Sequence, residues 1–205
     1  MATSDRPEPE QLIDDARTAD GSALGRLLEL YRNYLRLLAR LEIGRRLQKK
    51  VDDSDLVQEV FLEAHRHFGQ FRGTTEAELM GWLRQILAGV VANLLRRYYG
   101  TKQRNVRLER ELADDLGRSS QALGGNLAGR ESSPSERAVR REQAVLLADA
   151  LGRLPPAYQD VIILSHLEGL AFPEVARRMG RSVDSVKNLW ARALARLRRS
   201  LREKP

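Results

Sequence analysis

The sequence predicts an all-α protein: two small helical domains joined by a flexible linker, the second holding a helix-turn-helix of the winged-helix-like or homeodomain-like class. Three observations predict this. Apolar residues recur at three- and four-residue steps along most of the chain, and no run alternates as a strand would. A stretch rich in Ser, Gly and polar residues, RSSQALGGNLAGRESSPS, interrupts that periodicity between two helical halves. Near the C-terminus a short apolar helix, a glycine and a Ser-led basic helix follow one another directly.

Residues 1–20 read as a frayed lead-in with a short helix from Pro9 to Thr18. Residues 21–100 form the first domain. Its first stripe is Leu24, Leu27, Leu28, Tyr31, Leu35, Leu38 and Leu41, which reads as one helix from Gly21 capped by Asp20 or Ser22. A second helix begins near Asp52-Asp53-Ser54, capped by Asp53 or Ser54, and buries Leu56, Val57, Val60, Phe61, Ala64 and Phe68. Asp55, Gln58, Glu59, Glu63 and Arg66 fall on its other side. Gly69 to Thr75 reads as a loop. A largely apolar third helix runs from about Glu76 to Tyr99 and ends in Arg96-Arg97-Tyr98-Tyr99. Residues 101–137 read as the flexible linker, and 138–205 as the second domain.

In that second domain Val139, Ala144, Val145, Leu147, Leu151 and Leu154 form one helix, stopped by Pro155-Pro156. Pro156 opens the next, which ends at Gly169. Pro173 to Met179 is a short scaffold helix with Val175, Ala176 and Met179 inward. Gly180 supplies a left-handed turn, and Ser182 caps a long final helix. That helix presents Arg181, Asp184, Ser185, Lys187 and Asn188 near its start. Arg and Asn suit bidentate reading of base edges in a major groove. Arg192, Arg196, Arg198, Arg199 and Arg202 follow, as phosphate-binding groups do. The plainer alternative is a basic amphipathic helix in a bundle.

Bulk composition narrows the partners. Of 205 residues, 35 are Lys or Arg and 28 Asp or Glu, a net charge of +7 that favours a polyanion: nucleic acid first, an anionic membrane second. With no cysteine, disulfides and thiolate zinc sites are excluded. His65, His67 and His166 share no helix face, so neither a metal nor a cofactor is expected. MATSDRPEPEQLIDDA is not a signal peptide, and no apolar run has bilayer length. A cytoplasmic protein without membrane insertion is expected. No Ser-His-Asp order, phosphate-cradling Gly loop or carboxylate–His cluster points to an enzyme.

Two segments resemble one family. DDSDLVQEVFLEAHRHF (Asp52 to Phe68) is similar to the polymerase-binding part of sigma region 2. FRGTTEAELMGWLRQILAGVVANLLRR (Phe71 to Arg97) is similar to the promoter-melting and −10-reading part that follows. The stretch from about Glu142 to Leu201 resembles sigma region 4, and nothing between resembles region 3. That layout resembles the extracytoplasmic-function group of the sigma-70 family.

The resemblance implies a transcription-initiation factor that binds core RNA polymerase and promoter DNA. The polymerase contacts would be the β′ clamp helices and the β flap, and an anti-sigma factor would restrain the protein. Asp55, Gln58, Glu59 and Glu63 would dock on the β′ clamp helices. Phe71, Arg72, Arg84, Asn93, Arg96 and Arg97 would meet the −10 element, the loop at Phe71 and Arg72 capturing a flipped base, with Phe71 as a core plug the alternative. Arg181, Ser182, Ser185, Lys187, Asn188, Arg192 and Arg196 would meet the −35 element.

The chain departs from the family in three places. Ala88-Gly89 replaces a frequent Arg-Asn pair, Ala171 a capping Ser or Thr, and Leu189-Trp190 stands where the recognition helix often carries Arg. The competing expectation is a dimeric helix-turn-helix regulator that does not dock on polymerase.

Overall fold

The computed structural model describes residues 8–18, 21–46, 52–99, 106–124 and 134–202. Helices α1 (Pro9–Arg17), α2 (Gly21–Leu30), α3 (Arg32–Arg46), α4 (Asp53–His67), α5 (Glu76–Tyr99) and α6 (Val106–Leu123) make one lobe. Helices α7 (Pro134–Gly152), α8 (Pro156–Ile162), α9 (Phe172–Met179) and α10 (Val183–Arg202) make the other. Among the described residues there is no strand, in agreement with the all-α reading.

The first apolar stripe is divided. Instead of one helix from Gly21, the chain bends at Tyr31, whose N–H donates to the Leu28 carbonyl at 3.0 Å in a tightened turn. The bend carries the Tyr31 ring wholly into the core, where its hydroxyl donates to Glu76 Oε1 at 2.9 Å. The α4 cap also differs from expectation: it is Asp52, whose Oδ1 accepts from the Ser54 N–H at 2.8 Å. Asp53 faces Arg36 at 3.3 Å instead. The lead-in helix is not frayed over its length. Leu12 and Ile13 of α1 are buried against α2.

The linker expected over residues 101–137 is corrected over its middle. Residues 106–123 form α6, which lies along α5 and buries Leu112, Leu116 and Leu123 with Leu108 half-covered. Those leucines recur at helical spacing, and burying them offsets the ordering entropy that the neighbouring Ser and Gly residues raise. Two further parts of that stretch, 101–105 and 125–133, lie outside the described residues.

One hydrophobic core runs through both lobes, and α3 is their shared wall. Asn33 Nδ2 donates to Asp149 Oδ1 of α7 at 3.0 Å. Arg40 pairs with Asp160 of α8 and donates to Gln159 Oε1 at 3.4 Å. Gly44 and Gly152 allow the approach. A Cβ on Gly44 would stand 2.8 Å from Glu168 Oε1, and one on Gly152 would stand 2.9 Å from Asn33 Oδ1. The lobes leave a cleft of about 930 Å³ between them, bordered by Arg36, Arg40, Asp52, Asp160, Glu168 and Arg178.

Candidate nucleic-acid interface

The turn between α9 and α10 is built by backbone chemistry. Gly180 adopts φ 61°, ψ 38°, where a side chain would be strained. The Arg181 N–H reaches the Ala176 carbonyl at 3.0 Å, and the Gly180 N–H reaches that of Arg177 at 3.4 Å, so two of the last carbonyls of α9 are satisfied. Ser182 Oγ accepts from the Ser185 N–H at 3.2 Å and caps α10. Val175, Ala176, Val186 and Ala193 seal the two helices together. Ala171 gives α9 no side-chain cap, and a proline in the first turn, Pro173, removes one orphan donor. Trp190 is half-buried and packs against aromatic neighbours: its ring lies 5.7 Å from His166 and 5.6 Å from Phe172.

The outer face of α10 is open. Arg181, Ser182, Asn188, Arg192, Arg196 and Arg199 are exposed and Ser185 is half-buried. Ser185, Asn188, Arg192, Arg196 and Arg199 recur at steps of three and four and share one stripe. Lys187 stands about 100° round the helix from Asn188, on the shoulder, and lies 3.9 Å from Asp184. The structure thus gathers most of the expected −35 set and sets Lys187 apart.

In the other lobe the loop after α4 is tightly built. A 3₁₀ turn over Phe68–Gln70 leads to Phe71, whose ring stacks on Trp82 at 5.0 Å and lies 5.9 Å from Phe68. Gly73 has no room for a side chain: a Cβ would meet Phe71 Cζ at 2.5 Å and Glu78 Cβ at 2.7 Å. Thr75 and Glu78 form a reciprocal cap for α5. Thr75 Oγ1 accepts from the Glu78 N–H at 3.3 Å, while Glu78 Oε2 accepts from the Thr74 and Thr75 N–H groups at 2.9 and 3.1 Å. The Thr74 amide, chiefly, holds the Glu78 carboxyl below its ordinary range. Thr75-x-x-Glu78 is legible in the sequence as a capping box, a signal the sequence reading did not use.

Two of the expected −10 residues are corrected. Phe71 is only 7% exposed, with a ring face given to Trp82, so it plugs the loop rather than offering a stacking surface. Arg84 does not face outward. Its Nη1 donates to Tyr34 Oη at 3.0 Å and to Ser120 Oγ at 3.5 Å, beneath α6. Arg72, Asn93 and Arg97 are exposed and Arg96 half-buried, and Asn93 and Arg97 share one side of α5. Gly89 lies between Gln85 and Asn93 on that side with open space above it.

On α4, Asp55 and Gln58 are exposed and Glu59 is half-buried. Glu63 is engaged by Arg66 at 2.6 Å and His67 at 3.3 Å. Leu62, 58% exposed, stands among Asp55, Gln58, Glu59 and Arg66. An apolar residue inside a polar helix stripe was the sequence signal for this position, and the reading passed over it.

The comparisons with known proteins divide the chain along the same lines. The family model described as Sigma-70 region 2 matches residues 30–100, and Sigma-70, region 4 matches residues 144–197. The chain is 30% identical over 201 residues to ECF RNA polymerase sigma factor BldN of Streptomyces coelicolor, covering 98% of this chain and 68% of that one. It is 29% identical over 193 residues to RNA polymerase sigma factor CnrH of Cupriavidus metallidurans, covering 93% and 94%. Among solved structures, an RsbN–BldN complex matches at 24% identity, with coverage of 91% and 97% and a TM-score of 0.31.

Proposed function

The chain belongs to the extracytoplasmic-function sigma factors of the sigma-70 family, and from that membership we propose how its surfaces divide the work of promoter-specific initiation. The exposed stripe of α10 reads the −35 element in the major groove, with Arg181, Ser185 and Asn188 near base edges. Arg192, Arg196 and Arg199 lie along the phosphates. Arg72 in the loop over 69–75, with Asn93, Arg96 and Arg97 on α5, meets the −10 element. The α4 face of Asp55, Gln58, Glu59 and Leu62 docks on the β′ clamp helices of core polymerase. The α10 lobe meets the β flap, and the lobes separate to span the two elements.

One observation carries this reading: an outward-facing recognition stripe behind a properly closed turn, in the same chain as a region 2 match, in family order. The dimeric-regulator alternative has no observation in its favour. On family grounds we add an anti-sigma factor as the restraining partner. The chemistry of initiation belongs to polymerase, so this chain acts as a non-enzymatic subunit in the cytoplasm. No helix among the described residues is long and apolar enough to cross a membrane.

The test is transcription in vitro with core polymerase on a promoter library. Arg181→Ala or Asn188→Ala relaxes −35 preference by about 1–3 kcal/mol at the affected position, whereas Arg199→Ala weakens all promoters evenly. Identical effects of both kinds on matched and scrambled −35 elements would overturn the assignment of readers.

A further inference from the structure

The N-terminal helix α1 lies outside the segment matched to region 2, which begins at residue 30. It nevertheless reaches across to the loop over 69–75 through two charged side chains. Arg17 donates to the Gly73 carbonyl, and its guanidinium lies 6.0 Å from the centre of the Phe71 ring. Glu10 Oε1 accepts from the Glu76 N–H at 3.1 Å, one of the orphan donors at the start of α5. The helix that carries these groups is itself anchored, because Leu12 and Ile13 are buried against α2.

Without α1 the loop would be held from one side only. Phe71 stacks inward on Trp82, and the Thr75–Glu78 cap closes the far end. The stretch between, Arg72 to Thr74, has its carbonyl anchor on Arg17. Arg17 also sits near enough to favour the Glu78 carboxylate, the group that grips the Thr74 and Thr75 amides. The two ends of the strap therefore meet the loop and the start of α5 that follows it, and within 72–74 the exposed side chains are Arg72 and Thr74.

We propose that α1 is a strap that positions the −10-reading loop: Arg17 fixes the backbone at Gly73 and the ring of Phe71, Glu10 closes the start of α5, and Arg72 is thereby presented in a set orientation. Arg17 and Glu10 are positioning residues and need not touch DNA. The proposal rests on the reading above that this loop meets the −10 element. Holding a reader in place raises discrimination because a displaced donor no longer meets the matched base better than the wrong one.

The experiment uses the full chain with core polymerase and measures open-complex formation on promoters differing only at single −10 positions. The matched-to-mismatched ratio is the readout. Affinity for core polymerase and binding to a −35 duplex are measured alongside, and amide exchange over residues 71–75 reports the loop. Arg17→Ala is expected to lower the ratio about tenfold, the equivalent of one hydrogen bond to a charged donor, and to speed exchange in the loop. Polymerase affinity and −35 binding stay at the parental level, and Arg17→Lys restores most of the ratio. Glu10→Gln acts in the same direction and keeps the side-chain volume.

Arg72→Ala separates the two levels of the argument. If Arg72→Ala lowers the ratio while Arg17→Ala and Glu10→Gln leave it parental, the strap is overturned and the loop reading stands. If Arg72→Ala leaves the ratio unchanged, the loop is not a reader and both fall. Should Arg17→Ala fail to fold, the Glu10→Gln ratio decides the matter in the same way.

Discussion

Tyr34 offers a sharp test of the packing that replaced the expected linker. Its side chain is wholly buried. The hydroxyl donates to Ser120 Oγ of α6 at 2.7 Å and accepts from Arg84 Nη1 of α5 at 3.0 Å. Tyr34→Phe keeps the ring and its packing and deletes only the hinge of this three-helix network. Arg84 then keeps one long contact to Ser120, at 3.5 Å, and Ser120 loses its donor. Hydrogen bonds to charged groups contribute about 1.5–3 kcal/mol, so a loss of about 2 kcal/mol follows, roughly a thirtyfold change in an equilibrium constant.

Where the loss falls depends on cooperativity. If the lobe unfolds as one unit, the midpoint drops by about 4–8 °C, at about 2–4 °C per kcal/mol for a chain of this size. If α6 opens alone, the midpoint holds and amide protection over 106–123 falls about thirtyfold. Native-state hydrogen exchange alongside calorimetry distinguishes the two. A Tyr34→Phe/Ser120→Ala cycle should show coupling of about 1 kcal/mol. The reasoning is refuted if parental α6 amides exchange at unfolded rates, or if Tyr34→Phe changes neither protection nor midpoint.

Three further outcomes are expected. Gly180→Ala forces a side chain into positive φ and should cost about 1 kcal/mol, seen as a lower denaturation midpoint with −35 binding weakened in parallel. Because the folded-state pKa of Glu78 is depressed below the ordinary 4.5, its capping contribution is fully present above that value and is lost as the pH falls through the folded value. Acid titration should therefore shift the Thr74 and Thr75 amide resonances below about pH 4.5, and Glu78→Gln should remove that transition. Arg40→Ala removes the link to Asp160 and Gln159, so solution scattering should report a larger radius of gyration at unchanged helicity; an unchanged radius would show that the lobes are held elsewhere.

Several local signals read true in this chain, although the break at Tyr31, the Asp52 cap and the Thr75–Glu78 cap were missed. The Gly180 turn, the Ser182 cap, Pro156 at a helix start and the buried face of α4 each depend on a few neighbouring residues, and each was visible in the letters. Arg84 was read as outward because its helix was taken alone. Tyr34 of α3 and Ser120 of α6, the latter arriving from residues 106–123, turn that position inward. The α6 leucines were themselves obscured by the Ser- and Gly-rich composition around them, since a linker is judged by content and a helix by period. Phe71 was ambiguous between plug and reader. Its partner Trp82 lies eleven residues on, and the distance between them is a property of the fold.

The docking of the two lobes on α3 has a thermodynamic consequence. A compact chain of 205 residues has a radius of gyration of about 17 Å. The element names put the two promoter sites about 25 base pairs apart, about 85 Å along the duplex at 3.4 Å per pair. If the lobes separate to span both elements, as proposed, a docked molecule and a promoter-bound one are mutually exclusive populations, and only the separated fraction engages both elements. The apparent dissociation constant is the intrinsic one divided by that fraction. A docking free energy of about 2.7 kcal/mol would leave about one molecule in a hundred competent and raise the apparent dissociation constant for engaging both elements about a hundredfold. Substitutions at Asn33, Arg40 or Asp149 would then shift how readily this factor engages both elements while leaving the side chains proposed to meet polymerase and DNA unchanged.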